Sequence, residues 1–206
     1  MSGVFWTESW NPVRGCSAQR DGSCKAGVHC WAALLAGTRL LHMEKYQGLT
    51  ARRLGPQGIP VWTGAVRFDA DELTKPRHWK KPRVVLLSLM GDLFDPQVSD
   101  EQIAAVYGVM AACPQHTFLV LTKRAERRRQ WASSLYHPGD LYDQMILRNL
   151  YLRSGVRWPL PQVWEGVSVC DQADADARLP VLLQTPAAHR WVIAEPLLGP
   201  VDFSDL

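Results

Sequence analysis

Short runs of β-branched and aliphatic residues alternate along this chain with stretches whose apolar positions recur every three or four residues. The clearest run, Val84-Val85-Leu86-Leu87-Ser88-Leu89, is almost continuously apolar and predicts a buried strand of parallel character. Further strands are predicted at Val4–Thr7, near Val61–Phe68, and at Thr117–Thr122, Val163–Val169 and Arg190–Ala194, about six in all. Helical spacing falls between them. One helix is expected from about Cys30 to Tyr46, with Trp31, Leu34, Leu35 and Leu41 near one face. Ser99 and Gln102 form a capping box, and Ile103, Val106, Tyr107 and Met110 follow at helical intervals. A basic helix is expected from Arg124 to about Leu135, another over Leu141–Leu152, and a last one over Gln172–Leu183, where Asp174 and Arg178 stand at i,i+4.

Strands separated by helices imply right-handed βαβ units around a parallel sheet, an α/β fold. Polar residues gather where the predicted strands end: Ser88 and Asp92, Lys123 and Arg124, Ser168 and Asp171, and Glu195. That carboxyl edge is where α/β sheets bind ligands. A loop carrying Cys16, Cys24 and Cys30 also follows a predicted strand and belongs at the same edge.

Composition sets limits on this picture. With 206 residues, 47% of them apolar and 21% charged, the chain suits one folded domain over residues 1–206 rather than disorder. No apolar run is long enough for a membrane span, and the start of the chain does not read as a secretory signal. A cytoplasmic location is therefore expected, where thiols serve metals or catalysis more often than disulfides. The odd count of five cysteines agrees.

Three soft ligands within one short loop point to a metal or an iron–sulfur cluster. A structural zinc is usually closed by four ligands, whereas three thiolates leave one position open. Cys113 closes an apolar helical pattern and reads as a small buried hydrophobe. The net charge of +3 is mild, but two basic groups stand out. Lys75, Arg77, Lys80, Lys81 and Arg83 surround Trp79, while Lys123, Arg124, Arg127, Arg128 and Arg129 form the second. Such runs are usually solvated faces; Lys80, Lys81 and Arg83 are the candidates for phosphate contacts with a nucleic acid.

Several ordered blocks resemble one family. They are Trp10 through Gly15-Cys16, Cys30-Trp31-Ala32, Trp79-Lys80-Lys81-Pro82, Met90-Gly91-Asp92-Leu93-Phe94, Pro114 to Phe118, Leu121-Thr122-Lys123-Arg124, Trp158-Pro159-Leu160-Pro161, Gly166-Val167-Ser168-Val169, Thr185-Pro186-Ala187-Ala188 and Glu195 to Pro200. Together they resemble an uncharacterised family of phage and prophage proteins classed as radical-SAM-like, of which this chain would be a short form. The resemblance implies a partial (β/α) barrel of parallel strands with helices outside. It also implies a [4Fe–4S] cluster that cleaves S-adenosylmethionine to act on an unidentified substrate, such as a nucleobase or nucleic acid. On this reading Cys16, Cys24 and Cys30 hold the cluster and Trp31 shields it. Ser168 and Glu195 contact the cofactor, and Asp92, Lys123 and Arg124 contact substrate. The gaps between the cysteines, seven and five residues, are longer than such enzymes mostly carry, and no glycine-glycine-glutamate follows the predicted strand near Val61–Phe68. Two other readings stay open: a non-catalytic interaction protein of the same fold that binds a host protein or nucleic acid, and a zinc-stabilised module.

Overall fold

The computed structural model describes residues 5–53, 58–135 and 157–204. In chain order its strands are β1 (Glu8–Trp10), β2 (Val13–Arg14), β3 (Thr50–Arg52), β4 (Pro60–Trp62), β5 (Arg67–Phe68), β6 (Val84–Leu87), β7 (Thr117–Thr122), β8 (Val163–Val169) and β9 (His189–Ala194). The α-helices are α1 (Trp31–Ala36), α2 (Ala70–Leu73), α3 (Asp100–Ala111), α4 (Ala125–Ser134) and α5 (Gln172–Gln184). The predicted helix over Leu141–Leu152 lies outside the described residues.

Five strands form one parallel sheet in the order β1-β6-β7-β8-β9. The expected α/β architecture is present, with α3, α4 and α5 falling between successive strands. Among the described residues the sheet is open, with β1 and β9 at its edges, and no barrel is shown. Side chains alternate across it. Val85, Leu87, Phe118 and Val120 enter the main core with Ile103, Tyr107 and Met110 of α3 and Trp131 of α4. Leu86 and Leu121 point the other way and line a cavity.

Three expectations are corrected. The first strand is Glu8–Trp10 rather than Val4–Thr7, because the register with β6 sets Glu8, Ser9 and Trp10 opposite Val85, Leu86 and Leu87. Trp10 is then fully buried and donates its indole N–H to the Glu72 carbonyl at 2.7 Å, whereas Phe5 is exposed. The run near Val61–Phe68 is not a strand of the main sheet. It breaks at Gly64, and its halves pair antiparallel elsewhere, β4 with β3 and β5 with β2, so the parallel strands number five. The helix expected from Cys30 to Tyr46 stops at Ala36, where Gly37 allows Pro60 of β4 to pack at a distance no Cβ would permit.

Elsewhere local patterning prevails. Ser99 and Gln102 make the capping box of α3, and Arg178 pairs with Asp174 at 2.9 Å within α5. No helix among the described residues is long and apolar enough to cross a membrane.

One close approach fixes where the cysteine loop leaves the fold. The Gly15 N–H donates to the Met90 carbonyl at 2.9 Å, and Gly15 and Gly91 form an isolated parallel bridge. Gly15 has φ +82°, and a side chain there would collide with the Ala65 carbonyl. At Gly91 a Cβ would sit 2.8 Å from the Val13 oxygen and 2.9 Å from the Gly15 oxygen, both backbone atoms with little room to retreat. Gly91→Ala is therefore expected to destabilise the protein by about 1–3 kcal/mol, the usual cost of overpacking. Urea unfolding monitored by circular dichroism would measure this, and an unchanged midpoint would refute it.

Candidate functional site at the carboxyl edge of the sheet

Parallel pairing places the ends of β1, β6, β7, β8 and β9 on one edge. A cavity of about 260 Å³ opens there. Cys16, Cys24 and Cys30 all line it, brought together from positions spaced along one loop. Trp6, Trp31, Trp62, Leu89 and Ile193 supply apolar walls, and Ser88, Asp92, Thr122, Lys123, Ser168 and Glu195 bring polar groups from four strand ends. All five cysteines of the chain are free thiols.

The loop is tied down at every connection it crosses. Asp95, fully buried after β6, accepts from the Ser17 N–H at 2.9 Å and the Ser17 hydroxyl at 2.8 Å. Arg124, at the start of α4, donates to the Ser17 hydroxyl at 2.7 Å and to Asp21 at 2.6 Å, and lies 3.4 Å from Asp95. Lys25 reaches Asp171 at 2.7 Å, while Arg178 of α5 donates to the Ser23 carbonyl at 2.8 Å. Cys30 is the N-cap residue of α1, with Trp31 at the first helical position.

The predicted site residues divide into three groups. Cys16, Cys24, Cys30, Trp31, Asp92, Lys123, Ser168 and Glu195 come together around the cavity. Asp92 is buried, and its oxygens accept from the Thr122 hydroxyl at 2.7 and 2.9 Å, the Phe94 N–H at 2.9 Å and the Lys123 N–H at 3.2 Å. It ties the end of β6 to the end of β7. Burial nonetheless pushes its carboxyl above the ordinary carboxylate range, outweighing those donors. Arg124 is directed at the cysteine loop instead of lining the cavity. Lys80, Lys81 and Arg83 precede β6 and so lie at the opposite, amino edge. There Arg83 pairs with Glu8 at 2.6 Å and stacks over Trp79.

The second basic group is committed internally. Arg127 donates to the carbonyls of Phe94 and Asp95, Arg128 is buried against the Gly166 carbonyl at 2.8 Å, and Arg129 pairs with Glu126.

Burial pushes the Cys16 thiol well above its ordinary range, and the Asp92 charge adds to the shift. Lys123 is raised too: burial alone would lower it, but Cys24 at 3.2 Å and Cys170 at 3.4 Å outweigh that effect. Two features escaped the sequence reading. Cys170 directly follows β8 and lies at the same edge as Ser168, so its position was available from the strand assignment alone. Ser88 has φ +51°, unusual for a residue with a side chain. Ser88 lines the cavity, and its hydroxyl is buried with no hydrogen-bond partner among the described residues.

The ties on the loop have a measurable consequence. Burial by itself would raise the Asp21 carboxyl, but hydrogen bonds from Ser23 and Arg124 hold it down to about 2. A depressed carboxylate contributes stability that is present above its unfolded value of about 3.9 and disappears as pH falls through the folded value. In Arg124→Ala the Asp21 carboxyl is expected to titrate closer to the unfolded value, read from its carboxyl carbon shift by NMR. An unmoved titration would show that Arg124 does not hold the loop.

No curated protein and no solved structure matches this chain. A family model described as a protein of unknown function (DUF5131) matches residues 1–206, and the chain belongs to that family.

Proposed function

We propose that the cavity is the reaction site of a radical-SAM-like enzyme, with a [4Fe–4S] cluster held by Cys16, Cys24 and Cys30. The observation that carries this reading is the convergence of three free thiols, spread along one loop, on one cavity at the carboxyl edge. The donor set suits such a cluster in kind and number. Among the described residues no three His, Cys, Asp or Glu side chains converge as a single metal ion requires.

When bound, a reduced cluster supplies one-electron cleavage of S-adenosylmethionine and hydrogen abstraction from a substrate carbon. The chain's own residues supply position and shelter. Trp6, Trp31 and Trp62 wall the cavity against water, which strengthens the polar interactions inside it. The unpaired Ser88 hydroxyl lacks a partner that a bound organic molecule would provide. Ser168 donates to the Glu195 carbonyl at 2.9 Å, holding the chain after β9 over the same opening. The second strand of the parallel sheet is β6, so the segment after it is Ser88 to Asp92, which lines the cavity.

A second reading, nucleic-acid binding without catalysis, is favoured by Lys80 and Lys81, which are exposed beyond the amino edge. The cavity does not need that surface, and the two activities could be tested apart.

Anaerobic reconstitution is expected to load about four irons and four sulfides per chain. The brown absorbance should vanish in Cys16→Ala, Cys24→Ala and Cys30→Ala, and the loaded protein with reductant should release 5′-deoxyadenosine from S-adenosylmethionine. Folded protein that takes up no iron would end the cluster reading. For the second reading, a low-salt gel shift with single-stranded DNA or RNA should weaken in Lys80→Ala/Lys81→Ala; no shift at low salt would dismiss it.

A further inference from the structure

Cys170 plays no part in the reading above. It is fully buried at the end of β8, its N–H donates to Asp174 at 3.1 Å, and its carbonyl accepts from the Leu198 N–H at 2.7 Å. Its sulfur and that of Cys24 share one ammonium group, since Lys123 Nζ lies 3.4 Å from the first and 3.2 Å from the second. The residues beside them are clamped as well. Ser23 is bonded to Arg178, which also donates to the Ser168 carbonyl at 2.6 Å, and Lys25 is paired with Asp171. Both neighbours of Cys24 are thus anchored to the segment that carries Cys170.

The two thiols differ in access and in freedom. Cys24 is half-buried and lines the open cavity, whereas Cys170 has no solvent contact. Gly22 and Gly27 bracket Cys24 with φ values of +81° and +51°, and open space surrounds the position of a Cβ at each. Anchored on both sides to the segment that carries Cys170, Cys24 is held close to that sulfur, the two sharing the Lys123 ammonium.

We infer that Cys24 and Cys170 form an oxidisable thiol pair, with Cys24 the peroxide-reactive sulfur and Cys170 the resolving one. In the first step the Cys24 sulfur attacks a peroxide oxygen. The O–O bond breaks, one water leaves and Cys24 becomes a sulfenic acid. In the second step the Cys170 sulfur attacks the Cys24 sulfur. The S–O bond breaks, the hydroxyl leaves as water with the Cys170 proton, and a disulfide remains. Two thiols and one hydrogen peroxide give one disulfide and two waters. The chemistry needs no cluster, but the disulfide withdraws Cys24 from any set of three thiol ligands. Oxidation and cluster loading then exclude each other.

The test uses the full chain, reduced, cleared of metal with a chelator and treated with one equivalent of hydrogen peroxide. Remaining thiols are alkylated under denaturing conditions, and the digest is mapped by mass spectrometry without reductant. The expected product is a Cys24–Cys170 linked peptide with loss of Cys170 alkylation, reversed by dithiothreitol. It should persist in Cys16→Ser and Cys30→Ser and be absent in Cys170→Ser, where Cys24 should instead stop at the sulfenic acid and be trapped by dimedone. Circular dichroism verifies that each variant is folded. Cys24 linked to Cys16, to Cys30 or to Lys123, or Cys170 alkylated in full, would overturn the inference. Iron uptake by the reduced chain is scored separately: its failure removes the cluster reading and leaves the thiol pair standing.

Discussion

The buried carboxylate of Asp95 is the interaction on which the rest of this site depends. It is fully buried, yet it collects the Ser17 N–H, the Ser17 hydroxyl and the Arg124 guanidinium. Its backbone carbonyl is held as well, by Arg127. A charge without solvent persists only when paired and hydrogen-bonded, and removing one partner of such a set costs about 3–5 kcal/mol. Through this one group the loop that follows Cys16 is joined to the end of β6 and the start of α4. Without it, the start of the cysteine loop would lose its joint to β6 and α4 and keep only the ties at Gly15, Lys25 and Arg178.

A hierarchy of constraint follows from that joint. The Gly15–Gly91 approach sets where the loop departs, and Asp95 and Arg124 set its direction. Lys25 and Arg178 bring its middle to the end of β8. The ties reach the segments after β6, β7 and β8, so the cavity wall is assembled from connections rather than from one continuous element. Precision at such a site comes from the rigid sheet beneath it, while the loop keeps enough glycine to adjust.

The elements legible in the sequence are those whose determinants are local. β7 and β8 match their expected bounds, because their β-branched and aliphatic runs are bounded by turn residues. The start of α3 was legible in Ser99 and Gln102, whose side chains satisfy the first N–H groups without outside help. The run near Val61–Phe68 misled for the opposite reason. Its apolar character is real, but Gly64 divides it, and the pieces find their partners in the neighbouring β3 and the distant β2. Cys30 to Tyr46 has helical periodicity throughout, yet contact between Gly37 and Pro60 ends α1 after Ala36.

Of the site, the sequence alone determined the chemical kinds: three thiols in one loop and a set of polar residues following apolar runs. Those follow from composition and spacing, which need no knowledge of distant neighbours. Only the tertiary structure decided which of them meet. Parallel pairing sent the strand ends to one edge and the pair Lys80 and Lys81 to the other. It committed Arg124 to the cysteine loop and Asp92 to Thr122, and it set the buried Cys170 beside Cys24. Residues separated by more than a hundred positions were brought within a hydrogen bond of each other by the register of the sheet, and local pattern carries no record of that register.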